Sequence, residues 1–451
     1  MVQKTLHRYL LHPSVCYRRY EDIIVLYLTS QQKMFTFSGS ADDILECFKS
    51  WCSVEGAVKK IATEMNTSEI DDLQDVVAEF VKTLVENGIL ICEYRQTIED
   101  YSLEKEVESR FSESHQLYSV TLELTYRCNE RCRHCYVSKK NLPELSAEQI
   151  KEVMVDLRKM NVFNLVFTGG ELFARTDAFE ILEFAHSLGF VIDIFTNGNL
   201  IHGEDYIRLK MLWPRSVHFS LYSHIPQKHD AITQITGSFE RTLHSAKTCV
   251  AIGIPVNIKT PIMTETLDDI RAMAELAQSI GASIELGSNI TPKMDGSLQP
   301  TELKIMDEAG EKTVWNTIGE LFPETENDAP TRERTQKLCG AGDYSLSINP
   351  YGEVFPCGML QLCIGDVTQS SIKDIWEKSE VLAWWREHNL KTHRVGCDDC
   401  EHSDRCVFCP GEAMMRTGSP IQKYAEACRS TKAAAGRENR RKEGRCNERK
   451  C

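Results

Sequence analysis

Residues 120–136 read VTLELTYRCNERCRHCY, an apolar strand that runs directly into three closely spaced cysteines. Cys128, Cys132 and Cys135 follow the strand with the spacing C-x3-C-x2-C. Three thiolates at this spacing can hold three irons of a four-iron, four-sulfur cluster and leave the fourth iron without a protein ligand. A zinc site completed by His134 or another residue is the alternative that the spacing alone leaves open.

Short apolar strands alternate with amphipathic helical stretches after residue 118. Six strands follow one another in this way: VTLELTYR, NLVFTGGE, VIDIFTNG, SVHFSLYS, PVNIKTPIM and SIELGSNI. A repeated strand–helix unit predicts an α/β fold with a parallel sheet, most simply a partial, TIM-like (β/α)6 barrel over residues 115–310. The chemistry of such a barrel lies at the carboxyl ends of its strands, where the three cysteines also lie.

The later strands of this predicted barrel end in further candidate residues. Gly169, Gly170 and Glu171 end the second strand, where glycines allow backbone to approach a ligand closely. The next three strands end in polar side chains, namely Thr196, Asn197, Ser220 and Lys259. A lysine at a strand end is more often simply solvated. For Lys259, a solvated side chain without a functional role therefore stays open as the alternative.

The composition is that of a globular protein with two or three domains: 451 residues, 42% hydrophobic and 26% charged. No run approaches twenty apolar residues, which excludes a membrane span, and the first twenty residues lack the apolar core of a secretory signal. A net charge of -14 disfavours nucleic acid and anionic membranes as partners. Because 18 cysteines accompany no export signal, we expect a cytoplasmic protein whose thiols hold metal.

A second cysteine-rich region covers residues 335–430. Its cysteines are Cys339, Cys357, Cys363, Cys397, Cys400, Cys406, Cys409 and Cys428. The first two frame a glycine in the pattern C-x12-G-x4-C. Two zinc-ribbon sites are the simpler alternative to iron–sulfur clusters here.

The remaining cysteines carry no predicted role. Five of them lie among apolar neighbours and are interpreted as small buried hydrophobes: Cys16, Cys47, Cys52, Cys92 and Cys249. Cys446 and Cys451 lie in a tail, residues 431–451, that is rich in Lys and Arg and is expected to be disordered. Their thiols are either redox-active or incidental.

Residues 1–100 read as a small separate domain. Two β-rich runs at 23–30 and 33–39 precede three amphipathic segments, the last of which has Ser68 as its N-cap and Gly88 as its C-cap. A hairpin followed by three helices predicts a winged-helix domain. Sixteen acidic against ten basic residues disfavour DNA binding, so a domain that pairs a peptide with an exposed strand edge fits better.

The motif TYRCNERCRHCY, together with TGGE, resembles the signature of radical S-adenosylmethionine (SAM) enzymes. In that family SAM is bound at the open iron and split into methionine and a 5′-deoxyadenosyl radical, which abstracts hydrogen from unactivated C–H bonds. The resemblance implies that Gly169, Gly170 and Glu171 bind the amino group of SAM. It also implies that further side chains face the cofactor, namely Tyr136, Thr196, Asn197, Ser220 and Lys259.

The carboxy-terminal cysteines resemble the SPASM extension, a domain that carries two auxiliary clusters. By that pattern Cys397, Cys400, Cys406 and Cys428 hold the distal cluster, and Cys339, Cys357 and Cys409 hold the one nearer the barrel. Cys363 either completes the nearer cluster or leaves it an open iron for a substrate thiolate. The implied cofactors are SAM and three [4Fe-4S] clusters. One departure is that two residues, where the pattern has three, separate Cys406 from Cys409.

The amino-terminal domain resembles the PqqD-like recognition element that binds the leader of a ribosomally synthesised, modified peptide (RiPP). The whole chain then resembles a RiPP maturase that forms cysteine thioethers, as in sactipeptide or ranthipeptide synthases. The implied partners are a precursor peptide and a low-potential electron donor such as flavodoxin or ferredoxin. Carbon–carbon or carbon–oxygen crosslinking, epimerisation and a sulfatase-activating enzyme that oxidises a protein Cys or Ser remain alternatives.

Overall fold

The computed structural model describes residues 8–21, 23–39, 41–50, 52–65, 70–92, 111–112, 114–138, 142–287, 290–322, 337–403 and 406–434. Residues 431–434, placed in the predicted tail, are helical, whereas the rest of that tail lies outside the described residues. None of the helices in these ranges is both long enough and apolar enough to span a membrane.

The amino-terminal part combines two small sheets with three helices. Its elements are β1 (Arg8–Leu11), β2 (Val15–Tyr20), β3 (Ile23–Leu28), β4 (Lys33–Ser38), α1 (Ala41–Cys47), β5 (Cys52–Ser53), α2 (Val54–Met65), α3 (Ile70–Glu86) and β6 (Leu90–Cys92). Strands β2, β3 and β4 form an antiparallel sheet, and β1 pairs with β5 and β6. The predicted hairpin and helices are thus present, with two β-strands ahead of the hairpin that the sequence analysis missed.

The β2–β3–β4 sheet is covered on both faces. Side chains alternate between the faces of a strand, so Ile24 and Leu26 of β3 pack on the three helices. Val25 and Tyr27 of the same strand instead pack in a cluster with Phe163 and Val191, which lie outside the amino-terminal part. The amino-terminal domain is therefore docked onto the rest of the chain through an apolar face.

The central sheet begins with six parallel strands in chain order. They are β7 (Ser119–Glu123), β8 (Asn164–Thr168), β9 (Val191–Thr196), β10 (Ser216–Ser220), β11 (Val256–Pro261) and β12 (Ser283–Gly287). The helices between them are α4 (Ala147–Lys159), α5 (Ala178–Ser187), α6 (Asp205–Met211), α7 (Pro226–Thr233), α8 (Ser238–Ala251) and α9 (Ile270–Ile280). All six strands lie where the alternating pattern predicted them.

The sheet does not end with these six strands. Beside β7, β13 (Ser345–Ile348) pairs in parallel, followed by the antiparallel strands β14 (Glu353–Phe355) and β15 (Gly365–Asp366). Further helices are α10 (Glu308–Leu321), α11 (Ile372–Lys378), α12 (Glu380–His388) and α13 (Pro410–Thr417), and residues 425–434 are also helical. The six strands of the predicted partial (β/α)6 barrel are therefore present, and the cysteine-rich region adds three more strands to the same sheet.

The two faces of the sheet differ in polarity. Leu165, Ile194 and Phe219 lie in the core formed with the covering helices. Residues of the opposite parity on these strands are mixed, since they include Asp193 and His218 but also Val166 and Phe195. The polar side chains within these three strands therefore lie mostly on the face turned away from the core of covering helices.

Candidate active site and cluster cavity

The loop that follows β7 holds the first three cysteines. Cys128, Cys132 and Cys135 are partly buried, and the Cys135 N–H donates to the Cys132 carbonyl at 3.1 Å. The loop is tied to α7, since the Arg131 and Arg133 N–H groups each donate at 3.0 Å to backbone carbonyls there. The three thiols are thus held together at the carboxyl end of the strand, as the sequence predicted.

The two glycines of the G-G-E motif pack against the start of the cysteine loop. The Gly170 N–H donates to the Thr125 carbonyl at 2.7 Å, and the Glu171 N–H donates to the Arg127 carbonyl at 2.9 Å. A Cβ atom added at Gly169 would lie 2.3 Å from the Thr125 carbonyl oxygen. One added at Gly170 would lie 2.5 Å from the Arg127 carbonyl oxygen. The glycines are required for this contact between neighbouring loops, which is a different reason from the ligand approach that the sequence suggested.

Glu171 is fully enclosed beneath this motif. Its carboxylate accepts hydrogen bonds from the Phe173 N–H at 3.1 Å, the Thr196 hydroxyl at 2.8 Å and the Asn197 N–H at 2.7 Å. Burial raises the pKa of Glu171 to about 7, against the opposing effect of these donors. Its carboxylate is already satisfied within the protein, so the side chain fixes the ends of β8 and β9 relative to each other.

Asn197 connects the third strand to the cysteine loop. Its side-chain amide donates to the Asn129 side chain at 2.8 Å and lies 3.8 Å from the Cys128 sulfur. The predicted residues Thr196 and Asn197 are therefore placed beside the three cysteines by Glu171. They line the same loop cluster, as the order of motifs along the chain predicted.

A second polar chain of three residues was not predicted. The Arg241 guanidinium donates to the Asn199 side-chain oxygen at 2.7 Å, and the Asn199 amide donates to the Glu130 carboxylate at 2.8 Å. Glu130 lies between two of the cysteines in sequence, and burial raises its pKa to about 7. In the sequence, Asn199 follows the strand end T-N-G directly and Arg241 lies on α8, and neither position carried a predicted role.

Lys259 and Ser220 lie side by side in register on β11 and β10. The Lys259 ammonium forms an ion pair with Glu285 of β12 and lies 5.3 Å from the centre of the Phe195 ring. These two contacts account for the lysine without a cofactor. Cofactor contact for Lys259 and Ser220 therefore stays a prediction.

Glu123 is a buried carboxylate at the end of β7 that the sequence analysis missed. The hydroxyls of Tyr126 and Tyr136 donate to its two oxygens at 2.7 and 3.5 Å. Burial raises the pKa of Glu123 to about 7. A Cβ atom on Gly358 would lie 3.5 Å from its nearer oxygen, so Glu123 lies between the first cysteine loop and the segment that follows Cys357.

Three cysteines of the second region line one cavity of about 500 Å³. They are Cys339, Cys357 and Cys409, and Leu286 at the end of β12 also lines it. Burial raises the pKa of the Cys339 thiol to about 12, and the other two thiols are close enough to add to this shift. Three thiols from different parts of the chain therefore meet beside the central sheet.

Cys363 does not join this group. It is exposed, its thiol donates to the Gly365 carbonyl at 3.4 Å, and it does not line the cavity. Cys363 lies near the end of the nine-residue connection between β14 and β15, two positions before β15 begins. The structure places Cys363 outside the cavity, and which of its two predicted alternatives holds, a fourth ligand or an open iron, stays a prediction.

The other four cysteines of the region lie near one another. Burial raises the pKa of Cys397, and the thiols of Cys400, Cys406 and Cys428 are close enough to contribute to this shift. The Cys400 N–H donates to the Cys397 carbonyl at 3.2 Å, and Cys400 is exposed. This second group therefore lies nearer to the surface than the cavity.

These three groups of thiols suit iron–sulfur clusters. A four-iron cluster takes each thiolate on a different iron, so its ligands surround a volume instead of converging on one point. Among the described residues, no three His, Cys, Asp or Glu side chains converge closely enough to hold a single metal ion. Burial also raises the pKa of the Cys128 thiol to about 11, so that ionisation would accompany metal binding.

Comparison with known families finds two matching domains. The radical SAM superfamily matches residues 122–277, and the iron–sulfur cluster-binding SPASM domain matches residues 339–401. Neither match extends to the first hundred residues. The two matches cover the first cysteine loop and much of the second cysteine-rich region.

Several curated proteins are similar to this chain. AlbA of Bacillus subtilis, a biosynthesis protein for the antilisterial bacteriocin subtilosin, is 29% identical over 64% of this chain and 66% of its own length. The mycofactocin maturase MftC of Mycobacterium tuberculosis is 28% identical over 67% of this chain and 80% of its own. An AdoMet-dependent heme synthase of Methanosarcina barkeri is 25% identical over 67% and 94%.

Solved structures share the fold at low sequence identity. Streptococcus suis SuiB bound to its precursor peptide SuiA matches with a TM-score of 0.60 and 14% identity, over 93% of this chain and 99% of SuiB. The protein anSMEcpe with bound AdoMet and the Cp18Cys peptide matches with a TM-score of 0.55 and 14% identity, over 74% of this chain and 99% of its own. The SuiB match therefore extends over more of this chain than the anSMEcpe match does.

Proposed function

Since this chain is a radical SAM enzyme that carries an SPASM iron–sulfur domain, we propose that it matures a ribosomally made precursor peptide by forming cysteine thioethers. When bound, SAM and the cluster on Cys128, Cys132 and Cys135 supply a radical that removes hydrogen from an unactivated carbon. The single observation that carries the thioether assignment is the cavity with three cysteines. A four-iron cluster there keeps one iron for a substrate sulfur.

The loops around the first three cysteines are arranged to hold SAM. Within the part of the chain that the structure describes, no hydrogen bond reaches the carbonyls of Gly169 and Gly170. These oxygens are therefore available to an amino group, while Glu171 fixes the neighbouring Thr196 and Asn197. We propose that backbone at the glycines and the Asn197 side chain bind the methionine part of SAM.

The cavity cluster is proposed to have three protein ligands. In that case a Cys357→Ala chain loses about four of about twelve irons after anaerobic reconstitution, because a cluster has lost a ligand. A Cys363→Ala chain keeps all of them, since Cys363 is exposed and outside the cavity. Iron and labile-sulfide analysis of the purified chains measures both outcomes. A matching loss of iron from Cys363→Ala would make it the fourth ligand, and zinc in place of iron would overturn the auxiliary clusters.

The leader peptide is proposed to bind between β4 and α3. The outer edge of β4 pairs with no other strand of the described sheet, so a peptide strand can add to it. Beside this edge the Phe37 and Phe80 rings lie 5.2 Å apart, and Val76, one turn earlier on α3, is 62% exposed. An edge strand flanked by apolar side chains suits a leader with apolar residues at alternate positions.

The amino-terminal domain, which carries this proposed groove, contacts the end of the central sheet opposite the cysteine loop. The Tyr20 hydroxyl donates to the Asn161 carbonyl at 2.6 Å, and the Arg18 guanidinium donates to the Val162 carbonyl at 3.2 Å, just before β8 begins. The cysteines follow the opposite ends of the strands. The bound leader must therefore be linked to the modified residues by extended chain at least as long as a strand, about five residues or more.

The proposed reaction is tested by the mass of the precursor peptide. A short peptide encoded beside this gene is coexpressed anaerobically with the enzyme, in ordinary and in deuterated water, and then treated with a thiol-alkylating reagent. We expect the loss of two hydrogens for each bond and cysteines that resist alkylation. The same loss with free cysteines would indicate carbon–carbon or carbon–oxygen crosslinks, and an unchanged mass that gains one unit in deuterated water would indicate epimerisation. A peptide that is unmodified by an enzyme able to split SAM would favour oxidation of a protein Cys or Ser.

A further inference from the structure

A buried ion pair forms part of the wall of the three-cysteine cavity. Lys304 and Glu412 are 6% and 2% exposed, and both line the cavity together with the three thiols. Their charged atoms are 2.5 Å apart. Lys304 follows the short helix Gln299–Leu303 after the barrel strands, whereas Glu412 lies in the first turn of α13. The pair therefore joins the two parts of the chain at the cavity.

Glu412 has further hydrogen-bonding and ion-pair partners besides Lys304. The Arg416 guanidinium donates to it at 2.9 Å and also pairs with Glu426 at 3.0 Å. The Tyr424 hydroxyl contacts the Glu412 carboxylate at 3.3 Å and accepts from the Cys409 N–H at 3.1 Å. When Lys304 is substituted, Glu412 therefore keeps the Arg416 and Tyr424 contacts beside the cavity.

We propose that the Lys304–Glu412 pair sets the reduction potential of the iron–sulfur cluster in this cavity. The inference rests on the proposed three-cysteine cluster but not on the peptide reaction. Reduction adds one negative charge to a cluster, so a nearby cation favours it and a nearby anion opposes it. Because the pair is buried with the thiols, solvent screens each of its charges weakly. The balance of the two charges therefore decides how readily the cluster takes up one electron.

The test uses charge-neutral substitutions with opposite expected signs. At a fixed applied potential, Lys304→Met should lower the ratio of reduced to oxidised cluster about tenfold, which corresponds to 59 mV for a one-electron couple. Glu412→Gln should raise that ratio by a similar factor. The double variant removes both charges and should return the ratio to within about twofold of the parent. A merely structural role of the pair would not produce opposite signs.

The measurement is a redox titration followed by electron paramagnetic resonance. The reconstituted full chain carries Cys128→Ala, Cys132→Ala and Cys135→Ala, so that only the auxiliary clusters contribute. The distal cluster in the same sample is an internal reference, and Lys312→Met, which breaks the exposed pair with Glu308 on α10, is the matched control and should leave the ratio unchanged. If the Lys304→Met chain does not retain its iron, the Arg416→Gln chain is measured in its place. The ratio of reduced to oxidised cluster is again expected to fall.

Iron analysis separates the possible failures. About eight irons in this background confirm that both auxiliary clusters are present, whereas about four irons overturn the three-cysteine cluster of the proposed function. With eight irons present, shifts of the same sign for the two single variants, or no shift in either, overturn the role of the ion pair. Opposite signs with recovery in the double variant support it.

Discussion

A Cys128→Ala chain is expected to contain about four irons fewer than the parent and to release no 5′-deoxyadenosine from SAM. Cys128 is one of three thiols in a loop that Asn197 and Glu171 hold in place, and no other cysteine lies in that loop. Loss of one ligand therefore removes the cluster and, with it, the source of the radical. Iron analysis and chromatography of the reaction mixture, both under anaerobic conditions, measure the two effects.

The matched control for this substitution is Cys249→Ala. Cys249 is fully buried in the apolar core around α8, away from the cluster groups, so its loss should leave the iron content unchanged. The auxiliary clusters should also persist in the Cys128→Ala chain, with about eight irons. Continued release of 5′-deoxyadenosine from that chain would contradict the assignment of this loop as the site of SAM cleavage.

A Val76→Asp chain is expected to bind the precursor peptide at least about tenfold more weakly, since a carboxylate in an apolar groove loses its hydration. Val76 is 62% exposed on the side of α3 that carries Phe80, so the substitution should change the stability by no more than about 0.5 kcal/mol. SAM cleavage in the absence of peptide should be unaffected. Fluorescence anisotropy of the labelled precursor peptide measures the affinity.

Ile207→Asp supplies the control for this second prediction. Ile207 is 65% exposed on α6, on the outside of the central sheet. Its substitution should therefore leave the affinity for the precursor peptide unchanged. An equal loss of affinity in both chains, or none in Val76→Asp, would contradict the proposed groove. Deletion of the amino-terminal domain is a less specific test, because Val25 and Tyr27 cover Phe163 and the deletion would expose that apolar face.

Much of the central sheet could be predicted because local sequence patterns carry the information. Alternating strands and helices identified all six parallel strands from β7 to β12. The three later strands were missed, because β13 to β15 are two to four residues long. Such short strands have little periodicity of their own and are stabilised by pairing, β13 with β7, β14 with β13 and β15 with β14. Only the assembled sheet shows that the cysteine-rich region continues it.

The candidate site shows the same division. The G-G-E motif was found from the sequence, but its glycines proved to contact the backbone of Thr125 and Arg127. Glu123 could not be singled out, because an acidic residue in a strand reads like any solvated one until its surroundings are known. Its burial beneath Tyr126 and Tyr136 depends on elements that are brought together only by folding.

The amino-acid sequence by itself determined the repeated strand–helix unit, the grouping of cysteines along the chain and the resemblance to radical SAM enzymes. These features depend on spacing within short segments, which folding does not alter. Tertiary structure alone decided that Cys363 lies outside the cavity, that Lys259 pairs with Glu285, and that Lys304 meets Glu412 beside the thiols. Each of these outcomes depends on the distance between residues of separate strands, helices or loops. Such distances are fixed only when the apolar core has brought those elements together.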